Sequence, residues 1–193
     1  IEKSIKEFKP NIILTWMNRA SRVLPNEKFG NEIVVGRLGG YYKMKNYSKC
    51  DYLIANTQDI KDYIIDSGWD SHKVSFIPNF VNSNKNTTLD LEFSKNKTLI
   101  AMGRFHENKG FDVLIKSLSF LPYYSLILVG QGSLKEFYKE LIEKYNLKER
   151  VKIFDWTDDI SAFLNSASVL ICPSRHEPFG NIIIDGWAHK IPV

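Results

Sequence analysis

Cysteine is nearly absent. Cys50 and Cys172 are the two present in 193 residues, each near an apolar run. Such a pair makes neither a disulfide framework nor a zinc site. Both are expected as reduced, buried small hydrophobes, which fits a cytoplasmic protein. An unbroken apolar stretch of roughly 18 residues, the length a membrane-spanning helix needs, is also missing, and no secretory signal stands at the start. Neither sign of charge dominates: 26 Lys and Arg against 22 Asp and Glu leave +4. Nucleic acid, which calls for a strong basic bias, is therefore not an expected partner, while weak attraction to anionic lipid stays open. His72, His106, His176 and His189 lack metal-ligand spacing, so no metal site is expected. The ends, Ile1 and Ile191-Pro192-Val193, read as cut from something longer.

What is present is a 44% hydrophobic chain, enough for one large domain or two small ones. Short β-branched runs at Asn11 to Thr15, Ile33 to Val35, Asp51 to Ala55 and Val74 to Ile77 predict buried strands. Thr57 caps a predicted helix carrying Ile60, Ile64 and Ile65 and ended by Gly68. Residues 81–97 are rich in Asn, Ser and Thr and read as a connection between domains, with room for an extended segment around Leu89 to Phe93. Strands are predicted at Thr98 to Met102, Ser125 to Val129, Val151 to Phe154 and Ser168 to Cys172. Helical spacing separates them: Phe111, Leu114, Ile115 and Leu118, then Leu134, Phe137, Leu141 and Ile142, then Ile160, Phe163 and Leu164. A helix follows over Asn181 to Ala188, and Ile191 onward begins another strand. That alternation predicts a parallel sheet with crossover helices. Ligands of such sheets sit beyond the carboxyl ends of the strands, so the loops after Met102, Val129, Phe154 and Cys172 are expected to line one site.

Two of those loops carry the chemistry. In Gly103-Arg104-Phe105-His106-Glu107-Asn108-Lys109-Gly110, Gly103 permits a sharp turn. Arg104 and Lys109 flank a helix start, a combination suited to a diphosphate; two solvated surface cations are the equal alternative. In Ser174-Arg175-His176-Glu177-Pro178-Phe179-Gly180-Asn181, the backbone N–H groups of Phe179, Gly180 and Asn181 open a helix and can face an anion or a sugar hydroxyl. Glu177 precedes that helix and Asp185 lies eight positions on, so the two carboxylates can approach one ligand from different heights. For Asp185, a favourable N-terminal helix charge is the plainer alternative. Gly130-Gln131-Gly132 starts like a dinucleotide fingerprint, but Lys135 holds the third glycine position and no convincing acid follows. Gly36 to Lys49 carries Arg37, Lys43, Lys45 and Lys49 among Tyr41, Tyr42 and Tyr47. That run suits either an anionic membrane surface or plain solvent.

The ordered set Gly103-Arg104, Lys109-Gly110, Val129-Gly130-Gln131-Gly132, Pro173-Ser174 and Glu177-Pro178-Phe179-Gly180 resembles family 4 glycosyltransferases of the GT-B fold. Residues 1–80 resemble the later part of that family's acceptor domain more loosely, through Trp16 to Ser21, Gly36 to Tyr42 and Ile54 to Thr57, most of all in bacterial enzymes of polysaccharide or lipopolysaccharide synthesis. The resemblance implies an α/β chain with two Rossmann-like parallel-sheet domains, both incomplete: an acceptor-side part over 1–80, a connection over 81–97 and a donor domain over 98–193. It implies sugar transfer from a nucleoside-diphosphate sugar to a glycan or glycolipid, with retention of configuration, no cofactor and no obligatory metal. Arg104 and Lys109 would hold the diphosphate, Glu177 the donor sugar and Asp185 the ribose, with the nucleobase near Trp156 and Thr157. Asp185 stands where the family usually has Glu, and Gly39 where many members have His. The implied place of work is the cytoplasm, with peripheral contact at the inner face of the membrane. The alternative reading is a fragment without catalytic competence that binds a nucleotide sugar or a missing partner half.

Overall fold

The computed structural model describes residues 1–81, 87–90, 93–94 and 97–193. Much of the expected connection at 81–97 lies outside them, as does part of the extended segment expected at Leu89 to Phe93. The chain forms two compact units, Ile1–Asn79 and Phe80–Val193.

In the first unit, β1 (Ile12–Trp16), β2 (Ile33–Leu38), β3 (Tyr52–Ala55) and β4 (Val74–Phe76) make a parallel sheet in chain order. Three helices accompany them: α1 (Glu2–Phe8), α2 (Met17–Arg22) and α3 (Gln58–Asp66). The first two carry little apolar periodicity, which is why the sequence did not signal them; each buries a single residue, Ile5 and Ser21. Helix α3 starts as its cap predicts, with Thr57 Oγ1 accepting from Ile60 N at 3.0 Å, and it buries Ile60 and Ile64. These pack on Val34, Leu38, Leu53, Ala55 and Val74. The opposite sheet face is open: Ile12, Leu14, Trp16, Ile33 and Tyr52 are all exposed. Cys50 is buried, and burial raises its thiol to about 11. Cys172, expected buried, is only half-buried, because it lies where the last strand opens into a loop.

The second unit contains β5 (Thr98–Met102), β6 (Ser125–Val129), β7 (Val151–Phe154) and β8 (Val169–Leu170), all parallel, in the order β7-β6-β5-β8. Its helices are α4 (Phe111–Leu118), α5 (Lys135–Lys144), α6 (Ser161–Asn165) and α7 (Asn181–Ala188). Both sheet faces are covered. Leu99, Ala101, Leu126 and Leu128 meet Phe111, Ile115 and Tyr138 on one side. Ile100, Met102, Ile127 and Val129 meet Phe163, Leu164 and the half-buried Ile182 on the other. Double burial explains why these strands read as continuous apolar runs.

Three sequence expectations change in detail. On α5 the buried aromatic is Tyr138, while Phe137 is exposed; its neighbour lies about 100° further round the helix and wins the core position. The expected strand at Ser168 to Cys172 shortens to Val169–Leu170. No strand forms from Ile191 onward among the described residues; there the backbone accepts one bond, from Leu170 N to Pro192 O at 2.9 Å.

Candidate functional site

The chain runs from β5 outward to β6 and β7, then crosses back to place β8 on the other side of β5. The carboxyl ends of β5 and β8 therefore flank a topological switch point, where the loops of a doubly wound sheet diverge and leave a crevice. The two loops singled out by their chemistry are the ones that leave these strands: 103–110 after β5 and 173–180 after β8.

Backbone packing brings the loops close. Gly110 adopts the left-handed conformation at φ 64°, and a Cβ there would lie 2.2 Å from Pro173 O. Glycine thus meets two demands at once, a conformation that L side chains avoid and a contact that excludes any side chain. Gly130 plays the same part between neighbouring loops, since a Cβ there would lie 1.9 Å from Gly103 O. Gly103 N donates to Val129 O and Phe105 N to Gln131 O, each at 2.9 Å. Beneath the first loop, the buried rings of Phe105, Phe111 and Tyr138 meet edge to face at 5.3–6.0 Å between centroids. This anchors Arg104 and Lys109 to the core.

Lys109 Nζ donates to Glu177 Oε2 across the crevice. Ser174 Oγ donates to the same carboxylate at 3.1 Å. Both members of the ion pair are about three-quarters buried, with 26% and 24% of their side chains exposed. Arg104 is exposed and makes no hydrogen bond or ion pair with the described residues. Beside them, Arg175 forms a two-pronged pair with Asp112, Nη1 to Oδ1 at 3.0 Å and Nη2 to Oδ2 at 2.7 Å. The Arg175 hydrogen bonds hold the Asp112 carboxyl below the usual carboxylate range.

The other sequence-chosen residues lie in the segments that follow β5, β7 and β8. Gly103 packs near the Lys109 stem, its absent Cβ 3.4 Å from Cε. Phe179 is half-buried, Gly180 is buried with φ 75° and opens α7, and Asn181 is exposed. Asp185 is half-buried on α7, and desolvation raises its carboxyl, with His189 pulling the other way. Trp156 is exposed, and Thr157 Oγ1 accepts from Asp159 N at 3.2 Å. The sequence reading did not find Arg175 and Asp112 as a pair. They lie 63 residues apart, and only the parallel crossover brings them together.

In the first unit, Gly39 has Met17 in the space a side chain would take, with Sδ 3.1 Å from a Cβ built there. The basic–aromatic run is largely committed to the fold. Tyr47 is fully buried, Lys49 donates to Leu24 O, Tyr41 donates to Asp59, and Arg37 lies 4.5 Å over the Trp16 ring and donates to Asn79. Lys43 and Lys45 are exposed. Among the described residues, no helix is long and apolar enough to cross a membrane.

The family model of glycosyl transferases group 1 matches residues 86–193. The chain is 32% identical over 198 residues to the lipopolysaccharide core biosynthesis glycosyltransferase LpsE of Rhizobium meliloti. It is 29% identical over 197 residues to LpsD of the same organism. In both cases all of this chain is covered and 57% of the relative, so the chain spans a little over half of their length. Among solved structures, Anabaena Alr3699/HepE in complex with UDP and glucose superposes with a TM-score of 0.81 at 21% identity, covering 99% of this chain and 61% of the other. The two Rossmann-like parallel-sheet units are those of a GT-B glycosyltransferase fold.

Proposed function

The chain belongs to the glycosyl transferases group 1 family, whose model covers more than half of it, and on that premise we propose that it carries the donor site of an enzyme moving a sugar from a nucleoside diphosphate to a glycan or glycolipid. The observation that carries this reading is the meeting of Lys109 and Glu177 at the switch point, with Arg104, exposed and without an ion pair among the described residues, in the same loop as Lys109. Reaction breaks the bond between the anomeric carbon and the diphosphate oxygen, and the electron pair leaves with the diphosphate; the acceptor's hydroxyl oxygen bonds to that carbon, and its proton passes to the departing diphosphate. Arg104, Lys109 and the backbone N–H groups at the start of α7 meet that growing negative charge. Glu177 faces the sugar, whose ring becomes cation-like. Asp185 reaches the ribose, and Trp156 and Thr157 border the base. No metal is assigned a part, since the cations already supply the charge that the leaving group needs.

Membership of family 4 and retention of configuration belong to the same proposal, supported by the order of the motifs from Gly103 to Gly180. The names of LpsE and LpsD favour a bacterial envelope polysaccharide or lipopolysaccharide acceptor. Cytoplasmic work at the inner membrane face is part of it too, resting on Lys43 and Lys45 as the exposed cations of the basic run.

UDP-glucose is the first probe, because HepE was solved with UDP and glucose. Calorimetric titration of the chain should show binding, and Lys109→Ala should weaken it by about tenfold or more, the loss expected for one charge-assisted contact to a diphosphate. Equal affinity in wild type and Lys109→Ala would remove the diphosphate role from this loop.

A further inference from the structure

Arg175 is tied to the loop after β5 and to the first turn of α4 through its guanidinium and its backbone N–H. Its guanidinium holds both Asp112 oxygens, at 2.7 and 3.0 Å. The Nη1 group also donates to Glu107 O. Its backbone N donates to Asn108 O at 2.8 Å. Two positions earlier in the chain, Pro173 O closes on Gly110. Thus the two residues preceding Lys109 and the residue following it are each gripped from the loop that carries Glu177. Lys109 itself has four rotatable side-chain bonds and no other partner among the described residues, so its backbone anchor decides where its ammonium lies.

We propose that Arg175 is a positioning residue of the donor site, locking loop 104–110 to loop 173–180 so that Lys109 and Glu177 present one fixed ammonium–carboxylate geometry to a nucleoside-diphosphate sugar. The proposal rests on the donor-site reading above. The geometry favours positioning over direct contact with the diphosphate, because Asp112, Glu107 O and the fork of the guanidinium already satisfy one another. The two roles also predict opposite effects from one substitution. A ligand-binding Arg175 would be released by Asp112→Asn and would bind the diphosphate more tightly. A positioning Arg175 loses its lock when Asp112 changes, and affinity falls.

The test uses the full chain in four forms: wild type, Arg175→Met, Arg175→Lys and Asp112→Asn. Hydrogen exchange of the amides in 104–110 is followed without ligand, and UDP-glucose affinity is measured by calorimetry. Arg175→Met should speed exchange in 104–110 selectively and weaken UDP-glucose by about tenfold. Arg175→Lys, with the charge but not the fork, should fall between it and wild type. Asp112→Asn should weaken binding severalfold. Unchanged exchange in 104–110 in Arg175→Met overturns the lock, and tighter binding in Asp112→Asn overturns the positioning role. Exchange spreading evenly over the whole second unit also overturns it, as that marks a general stability effect. If the wild type binds no UDP-, GDP- or ADP-sugar, the donor-site reading fails by itself, and the exchange data alone decide the lock.

Discussion

Lys109 has a choice of anions. Without a donor its ammonium is held by Glu177, a carboxylate that Ser174 also steadies. A diphosphate competes for the same ammonium, so the donor must repay the loss of an internal ion pair that is about three-quarters buried. Charge-assisted contacts of this kind are worth about 1.5–3 kcal/mol. Glu177→Gln frees Lys109 and removes the carboxylate proposed to face the sugar. UDP alone should then bind more tightly while UDP-glucose gains little or loses, and the preference for the sugar nucleotide over UDP should shrink by about tenfold. Parallel titrations with the two ligands check this; an unchanged ratio would separate Glu177 from the sugar. The Asp112 carboxyl is depressed by Arg175, so what it contributes to stability is present above the ordinary Asp range and is lost as pH falls through its lowered value.

At the scale of elements, the site is made by strand ends and by glycines where loops touch. Gly110 has no room for a Cβ, because Pro173 O would lie 2.2 Å away, and its left-handed φ of 64° disfavours any L side chain. Gly110→Ala should destabilise the second unit by about 2 kcal/mol or more, read as a lower denaturation midpoint with an unchanged m-value. A neutral result would mean that the two loops are not packed this way. The same close approach explains what was legible beforehand. Gly103-Arg104, Lys109-Gly110 and Glu177 to Gly180 stood out because strand, glycine and charge recur in a fixed order. Asp112 and Arg175 did not, because each alone is an ordinary surface charge. Helical spacing selects Phe137 for the core position that Tyr138 fills, since apolarity alone cannot separate two adjacent aromatics on one helix.

Across the whole molecule the two units differ in how their sheets are covered. The second has helices on both faces, while one face of the first carries exposed Ile12, Leu14, Trp16, Ile33 and Tyr52. Parallel sheets are ordinarily covered on both sides, and a contiguous exposed apolar surface invites association. Ile12→Lys together with Leu14→Lys should reduce binding of a hydrophobic dye and self-association in light scattering, with a Tm within about 2 °C of wild type. A large fall in Tm would show that these side chains are packed rather than free.

The sequence by itself determined the α/β class, the parallel strands, the order of the motifs and the loops from which charged groups emerge. These follow from local rules: β-branched runs buried on both faces, helical spacing, a threonine cap, and glycines at strand ends. The sequence left open whether Lys109 and Glu177 meet, that Arg175 clasps Asp112, and that Tyr47, Tyr41, Arg37 and Lys49 are drawn into the fold of the first unit. Only the tertiary structure decided those, because each depends on two groups far apart in the chain. In the second unit that distance is set by where a crossover places β8 beside β5, in the first by how its strands and helices pack, and no local pattern of residues encodes either.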